Sequence, residues 1–351
     1  MKHTIWEWME IGSQKGASDI HIISGLAPKC RVDGEITDLG DEVLTAEECD
    51  EFAKTLAGEE YVCFNTCGEW DGAAEIDGLR CRINIFRQRK GVSIVIRLLR
   101  NKIPVLSELS LPPAVETLSS LKDGIVLVTG ATGSGKSTTL AAILDEINHT
   151  RRGHILTLED PVEYVYTPDL CIINQREIGR DTKSYPSGLH TALREDPDVI
   201  LIGEMRDQET IRTALTAAET GHLVFATLHS GSSADAVNRI IDVFSESEQA
   251  QVRVQLASTL RAVLVQRLLP RMSGSGRVAA CELMLCTPAV KNLIREGKTT
   301  QLANAILTSA SEGSVTLDNS LIKLFKERKI SAQTARENAA DADYVKRSTM
   351  F

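Results

Sequence analysis

The segment Gly130-Ala131-Thr132-Gly133-Ser134-Gly135-Lys136-Ser137 follows the pattern G-x-x-x-x-G-K-S. Its glycines let a backbone turn tightly enough for several N–H groups to converge on an anion. Lys136 would bring a full positive charge to the β and γ oxygens of a polyphosphate. Ser137 would offer a hydroxyl to a divalent cation, and Thr138 follows it at the helix start. An apolar run, Ile125 to Thr129, leads into the loop, and Ser137 to Asn148 continues with helical periodicity. A strand feeding this loop and a helix leaving it add the positive end of a helix dipole to the site. The chemistry implied is the binding of a nucleoside triphosphate with Mg²⁺.

Three further segments carry chemistry. Asp198-Val199-Ile200-Leu201-Ile202-Gly203-Glu204 is an apolar strand ending in a carboxylate, and Glu204 would face the Mg²⁺ through water. Thr157-Leu158-Glu159-Asp160-Pro161-Val162-Glu163 ends another apolar strand in carboxylates around a proline, and one of them could position an attacking water. Thr220 to Ser230 contains His222 and His229 around an apolar strand. Their odd spacing puts them on opposite faces, which argues against both ligating one metal. His229, at the strand's C-terminal edge, could hydrogen-bond a γ-phosphate or its water.

The elements that must hold these residues fall into regions. Residues 1–100 read as a small α+β domain. An amphipathic helix carries Ile5, Trp8 and Met9 on one face, and a second runs from Thr45 to Leu56, with Thr45 and Glu48 forming a capping box. Strands are expected at Asp19 to Ile23, Lys29 to Val32 (ending in Asp33-Gly34), Arg80 to Phe86 and Val92 to Leu98. Residues 101–119 read as a linker, from the prolines at 104, 112 and 113. Residues 120–270 alternate apolar strands (Ile125 to Thr129, Ile155 to Leu158, Val199 to Ile202, Leu223 to Thr227) with helical patterns, which implies a mostly parallel sheet covered on both faces. After about residue 247 strands are expected to stop. Gln249 to Leu269, Thr287 to Glu296 and Leu317 to Glu327 read as helices, making residues 271–351 a helical subdomain.

Composition narrows the classes. With 351 residues, 42% apolar, the chain is long enough for more than one core, and its net charge of −9 disfavours a broad nucleic-acid surface. No apolar run reaches the roughly 18 residues of a membrane span. The first residues lack the basic start and long apolar core of a secretion leader, so free thiols in a reducing compartment are expected. The eight cysteines include no C-x-x-C pair; Cys63 and Cys67 lack the second pair that would complete a metal site.

Taken in order, the segments GATGSGKS, TLEDPVEY, REDPDVILIGEMRD and TGHLVFATLHS resemble the secretion ATPase superfamily of RecA-like hexameric motors. Within it the chain is similar, nearly end to end, to the retraction ATPases of type IV pili. Ala17-Ser18-Asp19-Ile20-His21 looks like the start of their PAS-like N-terminal domain, and Ala289 to Glu296 resembles a retraction-linked motif, AIRNLIRE, with Val290 for Ile and Lys291 for Arg. The resemblance implies an α/β fold: a RecA-like P-loop core between a PAS-like N-terminal domain and a helical C-terminal subdomain. It implies ATP and Mg²⁺ as cofactors, Glu163 as the catalytic carboxylate, Glu204 as the Walker B acid, and His222 and His229 as catalytic His-box residues. Arg82 and Arg97 would bring charge to the nucleotide from the N-terminal domain. It also implies a homo-hexamer in the cytoplasm, at the inner face of the cytoplasmic membrane. Such a hexamer would contact the membrane only through partners, among them an inner-membrane pilus platform protein. Three rivals remain. Pilus extension or type II secretion ATPases carry a larger N-terminal region and a tetracysteine metal site, and no C-x-x-C pair occurs here. A nucleic-acid translocase would want a basic, aromatic-rich stripe. A non-hydrolysing accessory subunit is disfavoured by the intact Lys136, Glu163 and Glu204.

Overall fold

The computed structural model describes residues 3–32, 34–76, 79–99, 102–274 and 276–350. Asp33, named above, and residue 101, where the linker begins, lie outside them. The chain divides into two units, Met1–Lys102 and Ile103–Phe351.

In the first unit, helix α1 (Ile5–Gln14) precedes strands β1 (Asp19–Ile23), β2 (Lys29–Val32) and β3 (Glu35–Asp38). Helices α2 (Ala46–Ala57) and α3 (Tyr61–Cys67) then lead to β4 (Glu69–Ile76), β5 (Leu79–Gln88) and β6 (Gly91–Leu98). The strands form an antiparallel sheet ordered β3-β2-β1-β6-β5-β4. Its buried face presents Ile20, Ile22, Ile83, Ile85, Ile94 and Ile96 to Ile5, Trp8 and Met9 of α1 and to Cys49 and Ala53 of α2. The Thr45–Glu48 capping box is formed as its spacing implies.

The second unit is built on a seven-stranded sheet, β13-β12-β7-β11-β10-β8-β9. Its strands are β7 (Gly124–Thr129), β8 (Gly153–Glu159), β9 (Cys171–Glu177), β10 (Val199–Ile202), β11 (Leu223–Leu228), β12 (Leu260–Pro270) and β13 (Arg277–Leu285). All neighbours run parallel except the β12–β13 hairpin. Along β7 the apolar side chains alternate. Val126 and Val128 pack with Leu140, Ile143 and Leu144 of α4 (Lys136–Thr150). Ile125 and Leu127 join the opposite cluster. That cluster collects α5 (Tyr185–Ala192), α6 (Gln208–Glu219), α7 (Ser233–Asp242), α8 (Glu246–Thr259), α9 (Pro288–Arg295) and α10 (Leu302–Thr308). Three short helices, α11 (Leu317–Lys326), α12 (Ala332–Glu337) and α13 (Ala342–Ser348), pack on Leu269, Val278 and Ala280 of the hairpin.

The expectation of one helix from Gln249 to Leu269 is corrected. Helix ends at Thr259, and Leu260 to Pro270 is a strand paired with β7. Strands therefore do not stop near residue 247; β13 continues the same sheet. Ala262 to Val265 are buried throughout, so no alternation marked them as a strand. The proline-rich stretch before β7 is not a loose connector over its described length: Leu106, Val115 and Leu118 are buried against α4. In α9, Thr287 caps the helix, and Val290 and Ile294 are buried. Ala289, beside Val290 on the first turn, is exposed.

Candidate active site

The four parallel strands β7, β11, β10 and β8 end together at one edge of the sheet, and the chemically active residues follow their C-terminal ends. This is where open α/β sheets bind ligands. Cross-strand register aligns Thr129 with Leu228, Ala226 with Ile202, and Ile202 with Leu158. Gly130, His229, Glu204 and Glu159 thus emerge side by side.

The loop after β7 has the shape its glycines predict. Gly130, Gly133 and Gly135 have positive φ, and a Cβ on Gly130 would lie 2.3 Å from the Gln266 carbonyl. Ala131, Thr132 and Gly133 are exposed, leaving their side open to a ligand. Lys136 Nζ donates to the carbonyls of Gly130 (2.8 Å) and Ala131 (3.0 Å). Burial lowers the Lys136 pKa, while Glu204 and Glu163 oppose that shift, so both carboxylates lie within electrostatic reach of its ammonium. Ser134 Oγ is buried with no hydrogen-bond partner among the described residues. A buried donor without an acceptor is costly, and a phosphate oxygen would satisfy it. Thr138 Oγ1 is 2.9 Å from the Tyr164 hydroxyl, linking α4 to the segment that carries Glu163. The loop, the lysine and the half-buried Ser137 hydroxyl fit a nucleotide polyphosphate and its Mg²⁺.

Glu204 is engaged at both carboxylate oxygens: Arg206 Nη2 at 2.6 Å and His229 Nε2 at 3.3 Å. Burial pushes the Glu204 carboxyl up, but the Arg206 hydrogen bond, the charges of His229 and Arg206, and Lys136 outweigh it and hold it below the usual range. Thr129 Oγ1 accepts from Ser230 N–H at 2.8 Å, fixing the loop that carries His229 to the phosphate-loop strand. Glu163 is exposed, between the buried Val162 and Tyr164.

The profile of the family described as "Type II/IV secretion system protein" matches residues 74–283. A Pseudomonas aeruginosa protein named as the type IV pilus retractation ATPase PilT is 45% identical over 337 residues, 95% of this chain and 98% of the relative. A Neisseria gonorrhoeae twitching motility protein is 42% identical over 323 residues, 92% of this chain and 86% of the relative. The chain belongs to the type II/IV secretion system family of ATPases. It is an ATP-hydrolysing enzyme with the α/β fold of that family. A solved structure of the pilus retraction motor PilT with bound ADP superposes with a TM-score of 0.91 at 42% identity, covering 99% of this chain and 100% of that one.

Set against this family's motifs, the residues expected from sequence separate into those the fold gathers and those it does not. Lys136, Glu163, Glu204 and His229 meet at one edge of the sheet. His222 does not join them. It precedes β11 at the opposite edge, beside Gly124, where its Nδ1 lies 2.9 Å from the Ala217 carbonyl. A strand of this length spans roughly 20 Å, so His222 cannot reach the phosphate loop of its own subunit. Arg82 and Arg97 face each other across β5 and β6 in the first unit. Arg82 is exposed, and Arg97 Nε donates to Asp19 Oδ1 at 2.9 Å. Cys63 and Cys67 are exposed free thiols, and no cluster able to hold a metal occurs among the described residues.

Sequence reasoning did not single out Arg206, Gln266 or Gln175. Arg206 is two residues past Glu204, the i, i+2 spacing that returns a side chain to the same side of an extended segment. Gln266 lay inside the misread helix; its Oε1 accepts from Thr139 at 2.9 Å, beneath the phosphate loop.

Proposed function

We propose that the protein is a homo-hexameric motor that uses ATP and Mg²⁺ to power retraction of type IV pili. The observation that carries this reading is the convergence of Lys136, Glu163, Glu204 and His229 on one phosphate loop, in a chain similar over nearly its whole length to a pilus retraction ATPase.

In this reading the N–H groups of residues 131–136 and the Lys136 ammonium take the β and γ phosphates. Ser137 and Glu204 would hold Mg²⁺, which when bound would offset charge on the phosphate oxygens. Glu163, exposed and free to meet solvent, orients the attacking water and accepts its proton. His229, already 3.3 Å from Glu204, senses the γ-phosphate through that carboxylate. The motor works at the inner face of the cytoplasmic membrane, held there by a platform protein. No described helix is long and apolar enough to cross a membrane.

Removing the gene tests the direction of work. Retraction predicts cells with excess, unretracted pili. Loss of pili would point to extension, and a block in protein export to type II secretion. Stimulation of the purified ATPase by nucleic acid would point to a translocase.

A further inference from the structure

Glu163 sits on an irregular segment that follows β8 and is held to the edge strand β9 by side chains. Thr157 and Gln175 are direct cross-strand partners, as are Glu159 and Glu177, so all four project from one face of the β8–β9 pair. Their polar ends form a chain of bonds. Thr157 Oγ1 donates to Glu159 Oε1 at 2.7 Å, and Gln175 Nε2 donates to the same oxygen at 3.3 Å. The backbone of Glu163 lies close enough to the Glu159 carboxyl to favour its ionised form. Gln175 Nε2 also donates to the Tyr164 carbonyl at 2.7 Å, and Gln175 Oε1 accepts from Tyr166 N–H at 3.1 Å. Glu177 Oε2 accepts from Val162 N–H at 3.1 Å.

The result is a brace beside Glu163: Gln175 holds the carbonyl of the next residue while also bonding Glu159. Burial raises the Glu159 pKa, against hydrogen bonds from Thr157 and Gln175 that lower it. With Oε1 turned to Thr157 and Gln175, Glu159 is tied into the β8–β9 pair and braces the segment that carries Glu163.

We propose that Gln175 is a positioning residue for hydrolysis: through the Tyr164 carbonyl and the Tyr166 N–H it fixes the backbone that follows Glu163 and so aims that carboxylate at the attacking water. The proposal rests on Glu163 being the carboxylate that handles the water. Gln175 itself touches no substrate. Freeing the segment would let Glu163 drift by about an ångström, which for a group acting on a reacting atom costs on the order of 10² in rate.

The test is a mutant cycle on the full-length protein, measuring steady-state ATPase activity, ADP affinity and thermal melting. Gln175→Leu, close in volume but without donor or acceptor, should lower kcat about 10- to 100-fold with KM for ATP and ADP affinity changed by less than about threefold. In a Glu163→Gln background the same change should cost less than about twofold, since a badly aimed group that is already disabled has nothing more to lose. Wild-type turnover in Gln175→Leu, with Glu163→Gln slow, would overturn the positioning role and leave the Glu163 assignment intact. So would losses that multiply in the double variant. Wild-type turnover in Glu163→Gln would instead overturn the Glu163 assignment. Should Gln175→Leu melt before it can be assayed, Gln175→Glu keeps the length and the acceptor for Tyr166 but loses its donors at neutral pH. Placed beside Glu159, its carboxyl should titrate above the ordinary range and regain an O–H donor as pH falls. Its turnover relative to wild type should therefore rise from pH 8 toward pH 6, on the order of severalfold. A flat ratio would overturn the proposal.

Discussion

Gly203 stands between the buried end of β10 and Glu204, and replacing it with alanine should disturb the active site through packing alone. Gly203 N–H donates to the Leu158 carbonyl at 2.8 Å, and its carbonyl accepts from Thr227 Oγ1. A Cβ at this position would lie 2.7 Å from the Tyr185 hydroxyl, 3.1 Å from the Leu158 carbonyl oxygen and 3.3 Å from Glu159 Cα. The first contact is impossible without movement, and the other two press on the backbone of β8. Overpacking of this kind costs about 1–3 kcal/mol, which for a unit of this size lowers the melting temperature by roughly 2–12 °C. The larger effect should be on catalysis. Pushing β8 from β10 separates the strand ends that carry Glu159, Glu163 and Glu204, and a shift of several tenths of an ångström should reduce kcat about 10-fold or more. Gly203→Ala purified with wild-type turnover and melting would refute the reasoning. Adding Tyr185→Phe removes the nearest clashing atom and should recover part of both losses; a double variant worse than either single one would show that the contact at the Tyr185 hydroxyl does not set the cost.

The remaining predictions concern charge. Lys136→Ala should abolish hydrolysis while melting stays near wild type, and near-normal turnover in a folded variant would sink the phosphate-site assignment. Glu163→Gln should bind Mg²⁺ and ATP yet hydrolyse it about 10²-fold more slowly; Glu159→Gln should lose less, and the reverse order would mean that the wrong carboxylate has been named. Arg206 holds the Glu204 carboxyl below its ordinary range, so Glu204 stays ionised, and its folded-state contribution stays present, until pH falls through that lowered value. Arg206→Ala should raise it, and the acid limb of the pH–activity profile should move to higher pH; an unmoved limb would dismiss the pair as a determinant of Glu204. On α9, alanine at Lys291, Asn292 and Arg295 together should change stability by about 0.5 kcal/mol per site, keep ATPase activity and stop retraction. Normal retraction by that variant would leave α9 a packing helix.

The phosphate loop was legible because it is local: glycine spacing, one lysine and one hydroxyl specify a backbone shape within a single turn, and the apolar run before it had to be a buried strand. The capping box of Thr45 and Glu48 was legible for the same reason, since the two residues are three apart. The strand from Leu260 to Pro270 was not. Its residues are buried on both faces, so alternation was lost, and only pairing with β7 on one side and β13 on the other made it a strand rather than the end of α8. The histidines show the same limit within the site. Sequence put His222 and His229 on opposite faces of one strand, but the larger fact is that they cap its opposite ends, and only the parallel register beside β7 decides which end meets the phosphate loop. Gln175 gave no such signal, since it sits within the polar run Asn174 to Glu177 of the edge strand. Its meaning depends on Thr157 lying directly across from it. Short-range chemistry is written in neighbouring residues, whereas cross-strand partners 18 residues apart in register are chosen by how the sheet assembles.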